Sequence, residues 1–565
     1  MSLASSLPSK PSTMTKNLKL IIKAVLPTTA LLLCLLVINR YQILNGFSIL
    51  SGDGYDYVIS TTLLEHWFNF FTGQANWSDV LYFYPYGRSI AQTDAYLLVG
   101  VAYLPFRWLG FDPFIASEFS GSLIKSVGFV SMLLLTRRKV GLSLYGSVLA
   151  ATLFTMSNGM TLVSYRLQLA TVAFAPLLTH LVWNAIESLL NSEIKNFKIY
   201  GVLSGILFGA WCLSCFYMAW FFCFFATVFF ILLFFTADTT ARTLFYDRVR
   251  QNKSAVVLVL ISAMASLIPF IWAFLPKSRE VGVRSYEMVL SNTIYPENIL
   301  QTGPDNWLFG PIYLKLLGFL WPGYVQRGAY YNSGFSLPLF ILFALACYLI
   351  ISHWRKHRQD RVFFICVMTT LVTWGLALNL GGKSAWFFVY SLFPGAKALN
   401  AVGTFQIFLA FPVVLLAIRY LSRAKLPPVI LFLLTALLLV SELNKPYLNF
   451  HRQQELDRVA LKAKHPDTCR AFYVSGWKGQ DTMIPEFPEW INNYYAHNVS
   501  AMLIAQRIRL PTVNGIASFN PPDWSFGHPN NPDYDQRVLT YAQRHQVVGL
   551  CKLRLNDKTW EVITP

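Results

Sequence analysis

Long apolar stretches, separated by short polar segments, recur along the chain from Leu18 to Asn444. A membrane-spanning helix needs about 20 consecutive, mainly apolar residues, and many of these stretches approach that length. They predict an all-α polytopic membrane domain, residues 1–444, with about eleven transmembrane helices near 18–40, 114–136, 141–157, 169–190, 199–214, 216–236, 254–275, 334–352, 362–380, 402–420 and 428–444. Residues 445–565 lack such stretches and are predicted to form a small α/β or α+β domain.

Composition and charge agree with a membrane protein. The 565 residues are 55% hydrophobic and only 13% charged, whereas an average soluble domain is about 25% charged. The net charge of +18 could suggest a nucleic-acid partner, but the Lys and Arg residues form short clusters between apolar stretches rather than one patch. Cytoplasmic loops of membrane proteins carry such clusters. We therefore predict membrane lipids, and no nucleic acid, as partners.

The basic clusters all fall on the cytoplasmic side if Tyr96–Leu109 is a surface or re-entrant helix rather than a span. Residues 41–113, 276–333 and 381–401 then form outer loops, and the C-terminal domain is also outside. No small-residue cleavage site follows the first apolar stretch, so it is interpreted as a retained span. The predicted cytoplasmic residues are Lys10, Lys16, Lys19, Lys23, Arg137-Arg138-Lys139, Lys195, Lys198, those in 242–253, Arg355-Lys356-His357-Arg358, Arg423 and Lys425.

The cysteines divide into two groups. Six lie in apolar stretches, where cysteine behaves as a small hydrophobic residue. Cys469 and Cys551 are the only two in the C-terminal domain. If that domain is extracytoplasmic, an even pair suggests a disulfide.

Two carboxylates open the first outer loop, in the segment Ser51–Tyr57. Asp53 lies between two glycines, and Asp56 follows three residues later. The glycines allow a tight turn and close approach of a ligand, and a partly desolvated carboxylate is suited to act as a general base on a hydroxyl. Asp is also a favoured helix N-cap, so capping of a helix from Tyr55 remains the alternative.

Further along the same loop, an aromatic turn Tyr82–Gly87 precedes Arg88, and Asp94 follows six residues after that arginine. Arg166 and Gln168 lie at the entry to the fourth span. An arginine at the membrane interface is suited to bind the phosphate of a lipid carrier. It is equally typical of an aromatic-belt anchor with a snorkelling side chain.

The second and third outer loops add further cations, with Arg284, Arg327 and Lys397 as the candidates for phosphate binding. Several cations around a carboxylate cluster favour the binding of a sugar phosphate. The aromatic residues Trp477, Trp490, Trp524 and Tyr495 of the C-terminal domain suit stacking on a sugar, although aromatics in such a domain are more often core. The chain has no Walker motif, zinc-ligand set, GxSxG elbow or Rossmann fingerprint.

The order of these motifs resembles the GT-C superfamily of membrane glycosyltransferases, and more closely its bacterial multi-span members. The likeness spans nearly the whole chain and rests on short motifs: Asp53, Tyr84-Pro85-Tyr86-Gly87, Asp94, Arg166-Leu167-Gln168-Leu169, Phe393-Pro394-Gly395, Leu510-Pro511-Thr512-Val513-Asn514-Gly515 and Pro521-Pro522-Asp523-Trp524. Relatives usually carry Arg shortly after the Pro-Gly of the third loop. In this chain Lys397 is the only cation near that position. They often have His at the position of Gln168.

The resemblance implies an enzyme of the bacterial inner membrane. It would transfer a sugar from a polyprenyl-phosphate carrier to a glycan, lipid or protein acceptor on the periplasmic face, with inversion. Asp53 would be the base, with Asp56 as the nearby alternative. Family members with diphosphate donors use a divalent metal, but no clear metal-ligand set is present here. We therefore predict a monophosphate donor, and the resemblance does not firmly imply a cofactor.

Two other classes of protein remain open. A transporter or flippase of lipid-linked sugars needs polar residues deep in several spans and usually internal repeats, and the sequence offers few of the former and no evident repeat. In a non-catalytic assembly protein, Asp53 and Asp56 would only cap a helix.

Overall fold

The computed structural model describes residues 13–162, 165–354, 361–475 and 489–563, without the side chains of 13–23, 281 and 489–493. The predicted cytoplasmic cluster Arg355-Lys356-His357-Arg358, Lys10 and Trp477 lie outside these ranges, as do the side chains of Lys16, Lys19, Lys23 and Trp490.

The described ranges are mainly helical. The helices are α1 Thr13–Ile38, α2 Arg40–Leu44, α3 Asp56–Phe71, α4 Leu97–Trp108, α5 Pro113–Leu135, α6 Leu144–Met156, α7 Asn158–Leu162, α8 Phe174–Leu190, α9 Ile194–Cys212, α10 Phe216–Thr236, α11 Thr239–Gln251, α12 Lys253–Val281, α13 Tyr286–Ser291, α14 Gly310–Leu320, α15 Leu337–His353, α16 Arg361–Ala377, α17 Trp386–Leu392, α18 Phe405–Arg423, α19 Pro428–Ser441, α20 Arg452–Val459, α21 Glu489–Ile508 and α22 Tyr534–Arg544. The strands are β1 Ile49–Leu50, β2 Asn379–Leu380, β3 Lys383–Ser384, β4 Phe450–His451, β5 Ala471–Ser475, β6 Leu550–Arg554 and β7 Thr559–Val562.

Each of the eleven predicted spans coincides with a helix. Within the described residues, five helical segments are long and apolar enough to cross a membrane: Pro113–Val140, Leu169–Leu190, Phe216–Thr236, Lys253–Glu280 and Val402–Arg423. These make the chain a membrane protein. The full count of eleven stays a prediction, because helices such as α6, with 13 residues, fall short of the roughly 20 that a bilayer core requires.

The bundle is organised around α18, whose apolar window is completely buried, whereas that of α12 is only 6% buried. Helix α12 packs closely on α9 through Gly201, Gly205 and Gly209. A Cβ atom on Gly209 would lie 2.3 Å from the backbone oxygen of Ser266, and the Ser266 hydroxyl donates a 2.7 Å hydrogen bond to the backbone oxygen of Gly205. Small residues at every fourth position thus permit close contact between these two helices.

The C-terminal region contains a three-stranded sheet in which β5 is parallel to β6 and β6 is antiparallel to β7. A disulfide joins Cys469 to Cys551, the pair for which the sequence suggests one. The division at residue 444 stays a prediction. One continuous buried apolar core includes residues from both sides of it.

Backbone hydrogen bonds attach the C-terminal region to the first outer loop. β1 pairs antiparallel with β4. The amide of Thr512 donates to the oxygen of Leu81 at 3.0 Å, and the amides of Phe83 and Tyr84 donate to Asn514 and Thr512 at 3.1 and 3.0 Å. The motifs around residues 84 and 512, distant in sequence, are therefore neighbours in the fold.

Side chains of the same motifs reinforce this attachment. The Tyr86 hydroxyl donates to Asp523 Oδ1 at 2.5 Å, and His545 Nε2 lies 2.7 Å from Asp523 Oδ2. The Trp524 indole packs edge-on against Phe83, and its N–H donates to the backbone oxygen of Val513. Trp524 is therefore a core residue and not a sugar platform.

The predicted sidedness can be tested with a matched pair of exposed glutamines, Gln251 at the end of α11 and Gln536 on α22. We expect Gln536→Cys to react with a membrane-impermeant maleimide in intact cells, and Gln251→Cys to react only after permeabilisation, because the predicted topology puts the two on opposite sides of the membrane. The parent protein, whose six free cysteines are buried or half-buried, gives the background. If only Gln251→Cys were labelled in intact cells, the orientation would be the opposite of the predicted one.

Candidate active site

The turn that carries Asp53 is held by three hydrogen bonds, one to the Glu118 side chain and two to the backbone of residues 447–449. The Ser51 amide donates to Glu118 Oε1 at 3.1 Å, the Gly52 amide donates to the backbone oxygen of Tyr447, and the Asn449 amide donates to that of Gly52. Gly52 has a φ of +101°, and a Cβ atom there would lie 2.6 Å from the Cβ of Tyr165. Only glycine fits this position without strain.

Asp53 caps α3 and also faces a cavity. Its Oδ1 accepts the amides of Tyr55 at 2.9 Å and Asp56 at 3.1 Å, so the predicted capping role is part of the structure. The residue is only 7% exposed. Burial, followed by the nearby negative charge of Asp56, raises the pKa of Asp53 to about 6. Because both cap bonds use Oδ1, capping does not occupy Oδ2.

Asp56 is paired with a cation. Its Oδ2 lies 2.6 Å from the guanidinium of Arg166, and the two side chains are 37% and 29% exposed. Arg166 also donates to the Tyr330 hydroxyl, and its guanidinium lies over the rings of Tyr165 and Tyr330. This pairing fixes the position of Arg166 and occupies one oxygen of Asp56.

Two cavities meet at this ion pair. The first, which we call the Asp53 cavity, has a volume of about 550 Å³. The second, which we call the Asp94 cavity, has a volume of about 490 Å³. Asp56, Arg166 and Tyr495 line both. The Asp56–Arg166 pair and Tyr495, which comes from α21, therefore form a shared wall.

The Asp53 cavity is lined by groups from five parts of the chain: residues 53–56, 161–166, 302–332, 444–447 and Tyr495. Besides Asp53, it includes Thr302 and Asp305 of the second outer loop and Lys445 at the start of the C-terminal region. Tyr55 contributes a ring that packs against Tyr495 with centroids 5.2 Å apart. The convergence of these segments agrees with the prediction that they share one side of the membrane.

The Asp94 cavity is lined by three further predicted residues, Asp94, Gln168 and Arg284. Asp94 Oδ1 accepts the amide of Phe216 at 3.0 Å, which caps α10, and burial raises the pKa of Asp94 to about 6. Gln168 Oε1 accepts the hydroxyl of Tyr96 at 2.5 Å. Arg284 donates to the backbone oxygen of Ser518 at 2.6 Å. The third loop contributes to this cavity through residues 398–401.

Three predicted phosphate ligands line neither cavity. The Arg88 guanidinium stacks over Trp272 of α12 at 4.4 Å. Arg327 forms a 2.6 Å ion pair with Glu297, and the exposed Lys397 lies 5.7 Å from the Tyr390 ring. Each has an aromatic or acidic partner elsewhere, so the structure brings together only Arg166 and Arg284 of the predicted cations.

Several lining residues escape the sequence analysis. Tyr330 contacts Arg166 directly, and Asp305 and Lys445 face Asp53 across its cavity. Tyr330 lies three residues after Arg327 in an aromatic, glycine-containing segment, which was a weak signal of a binding loop. Asp305 and Lys445 give no signal in sequence, because only the fold brings the second loop and the end of α19 to the same cavity.

Metal ligands do not cluster in the described part of the chain. There, no group of three or more His, Cys, Asp or Glu side chains is close enough to hold a metal ion. Asp53, Asp56 and Asp94 are instead directed to separate partners: one helix cap, one arginine and a second helix cap. These residues as arranged do not fit a shared metal site.

Comparison with known proteins gives only a distant structural similarity. No protein-family model and no curated protein matches the chain. Among solved structures, the chain is similar to the Archaeoglobus fulgidus oligosaccharyltransferase tethered with an acceptor peptide containing the NVT sequon via a disulfide bond. The identity is 13%, the match covers 94% of this chain and 69% of that one, and the TM-score is 0.46. Similarity this low carries no argument about activity.

The close contact at Gly52 gives a stability prediction. We expect Gly52→Ala to destabilise the protein by about 1–3 kcal/mol more than Gly46→Ala, because the added methyl group meets Tyr165. Gly46 also has a positive φ, but a Cβ there meets nothing within 4 Å, so it controls for backbone strain. Thermal unfolding of the purified protein in detergent measures both. Equal destabilisation would show that the turn can shift away from Tyr165.

Proposed function

We propose that this protein is a GT-C-type glycosyltransferase that moves a sugar from a polyprenyl-phosphate carrier to an acceptor hydroxyl at the outer membrane face. The observation that carries the proposal is the arrangement across the shared wall. A buried carboxylate with a raised pKa lies in one cavity, and two arginines, Arg166 and Arg284, line the other. A transfer reaction needs these two kinds of group on opposite sides of the sugar.

In the proposed reaction, Asp53 is the general base. Burial places its pKa at about 6, near the pH at which a base must work. Asp56, the alternative, already has one oxygen paired with Arg166, which makes it the poorer proton acceptor. The acceptor glycan, lipid or protein binds in the Asp53 cavity, where its hydroxyl reaches this carboxylate.

The donor phosphate binds in the Asp94 cavity. The acceptor oxygen forms a bond to the anomeric carbon as the bond from that carbon to the phosphate oxygen breaks. Asp53 takes the hydroxyl proton, and the electron pair leaves with the lipid phosphate. Arg166 and Arg284 stabilise the charge that develops there. Attack from the side opposite the leaving group inverts the anomeric centre.

The cellular setting follows from the same proposal. The enzyme is placed in the bacterial inner membrane, with the cavities and the C-terminal region on the periplasmic face. The basic clusters and the disulfide support this orientation. A flippase would need a polar path through the bundle, whereas the two cavities lie where the outer loops and the C-terminal region meet.

Asparagine at position 53 separates catalysis from capping. Asn retains an oxygen that accepts the amides of Tyr55 and Asp56 but cannot accept a proton from the substrate. We expect Asp53→Asn to reduce transfer of radiolabelled sugar from a polyprenyl-phosphate donor in membranes by about 10²–10⁴-fold. The control is Asp467→Asn, because the Asp467 side chain is 89% exposed and pairs with Lys464. If Asp53→Asn transferred sugar at the rate of the control, Asp53 would only cap the helix and would not be the base.

The pKa of Asp53 also predicts a pH dependence. A base must be deprotonated to accept a proton, so the transfer rate should rise with pH through about 6. We expect a rate increase of roughly tenfold between pH 5 and pH 7, followed by a plateau. Initial rates at saturating donor measure this profile. A rate that falls over the same interval would require a protonated group in place of the base.

A further inference from the structure

The wall between the two cavities is made of groups that can exchange partners. Asp56 and Arg166 are each about one-third exposed, so neither is sealed in the core. Their contact is a 2.6 Å ion pair, and the other contacts of Arg166 are with the Tyr330 hydroxyl and two aromatic faces. A guanidinium held in this way can rotate toward another anion while it keeps its aromatic neighbours.

Two arginines that line the Asp94 cavity each have a buried donor without an acceptor. In the described part of the chain, the Nε atoms of Arg166 and Arg284 are buried and have no hydrogen-bond partner. Buried donors are normally satisfied, and arginines favour anions that accept two hydrogen bonds at once. Two such arginines on one cavity indicate a binding place for an anion with several oxygens.

The same arginine therefore has two competing partners. Asp56 occupies it when the cavity is empty, and a phosphate would compete for the same guanidinium. Exchange of one charge-assisted contact for another involves little net change in hydrogen bonding. The wall would thus be closed without the phosphate and open with it.

We propose that Asp56 is a gate residue and not the base: the donor phosphate draws Arg166 away from Asp56 and so joins the two cavities. This inference rests on the proposed function, because it takes the phosphate of the lipid donor as the anion. Its consequence is an order of events. The acceptor hydroxyl beside Asp53 reaches the anomeric carbon only after the donor has bound, and water in the Asp53 cavity is kept from the donor site until then.

The sign of one mutational effect tests the gate. We measure binding of a polyprenyl phosphate to the full-length protein in lipid nanodiscs, for wild type, Asp56→Asn and Arg166→Gln. Asp56→Asn should bind the polyprenyl phosphate about three- to tenfold more tightly, because the competing carboxylate is lost. Arg166→Gln should bind it about tenfold or more weakly, because a charge-assisted contact is lost. The matched controls are Asp533→Asn and Arg537→Gln, an ion pair on α22 that lines neither cavity.

Two further ligands identify the source of the anion. Polyprenol, which has the chain without the phosphate, should bind all variants alike. Inorganic phosphate should bind far more weakly than the lipid and should follow the same order among the variants. If inorganic phosphate bound as tightly as the polyprenyl phosphate, the site would be one for free phosphate and the gate would not depend on the donor.

The outcomes separate the two proposals. If wild type binds polyprenyl phosphate and Asp56→Asn binds it equally or more weakly, Asp56 merely positions Arg166 and the gate is wrong, while the proposed function stands. If wild type does not bind polyprenyl phosphate, both proposals fail. Unfolding midpoints show whether each variant folds. If Arg166→Gln does not fold, binding by Asp56→Asn alone still tests the gate.

Discussion

Hydrogen bonds between the first outer loop and residues 512–514 are the contacts on which the rest of the site depends. They attach the C-terminal region to the bundle through backbone groups, which do not depend on particular side chains. Because of them, Tyr495 of α21 reaches the shared wall and residues 516–519 reach the Asp94 cavity. Without this attachment both cavities would be open clefts, and the ion pair between them would be in water.

Charge placement in the site follows from the cost of burial. A carboxylate removed from water must be hydrogen-bonded, paired or neutralised. Asp53 and Asp94 are each bonded to the amide groups at a helix start, and Asp56 is bonded to an arginine. Burial raises the pKa of both Asp53 and Asp94, and their amide hydrogen bonds offset this only in part.

The pattern of apolar stretches was sufficient to place a helix at each predicted span, because a bilayer demands long apolar segments and leaves a clear signal. Asp53, Asp94, Arg166 and Gln168 were likewise identified from motifs, and Arg284 from the charge of its loop. All five line the cavities. Asp53 as cap or base could not be decided from spacing, since the two roles use the same local geometry. In the structure the two amide bonds of the cap both use Oδ1 of Asp53, so capping and the proposed base role are compatible.

Other features depend on contacts that no local pattern records. Arg327 is suited to a phosphate by its loop, yet Glu297, thirty residues earlier, pairs with it. The bond between Tyr86 and Asp523 joins residues 437 positions apart. The glycines of α9 are spaced every fourth residue, but the sequence does not show which residues approach them. In the fold these are Val259, Ala263 and Ser266 of α12. Local patterns do not record the partner in a tertiary contact of this kind.

The disulfide between Cys469 and Cys551 has a consequence for how the C-terminal region folds. It connects the residues just before β5 to β6, and the backbone of β5 is bonded to the strand-like segment that docks on the first loop. Oxidation of these two thiols would therefore stabilise β5 and β6 beside the segment that contacts the first loop. If the C-terminal region is extracytoplasmic, as the sequence predicts, this cross-link forms only after that region has crossed the membrane into an oxidising compartment.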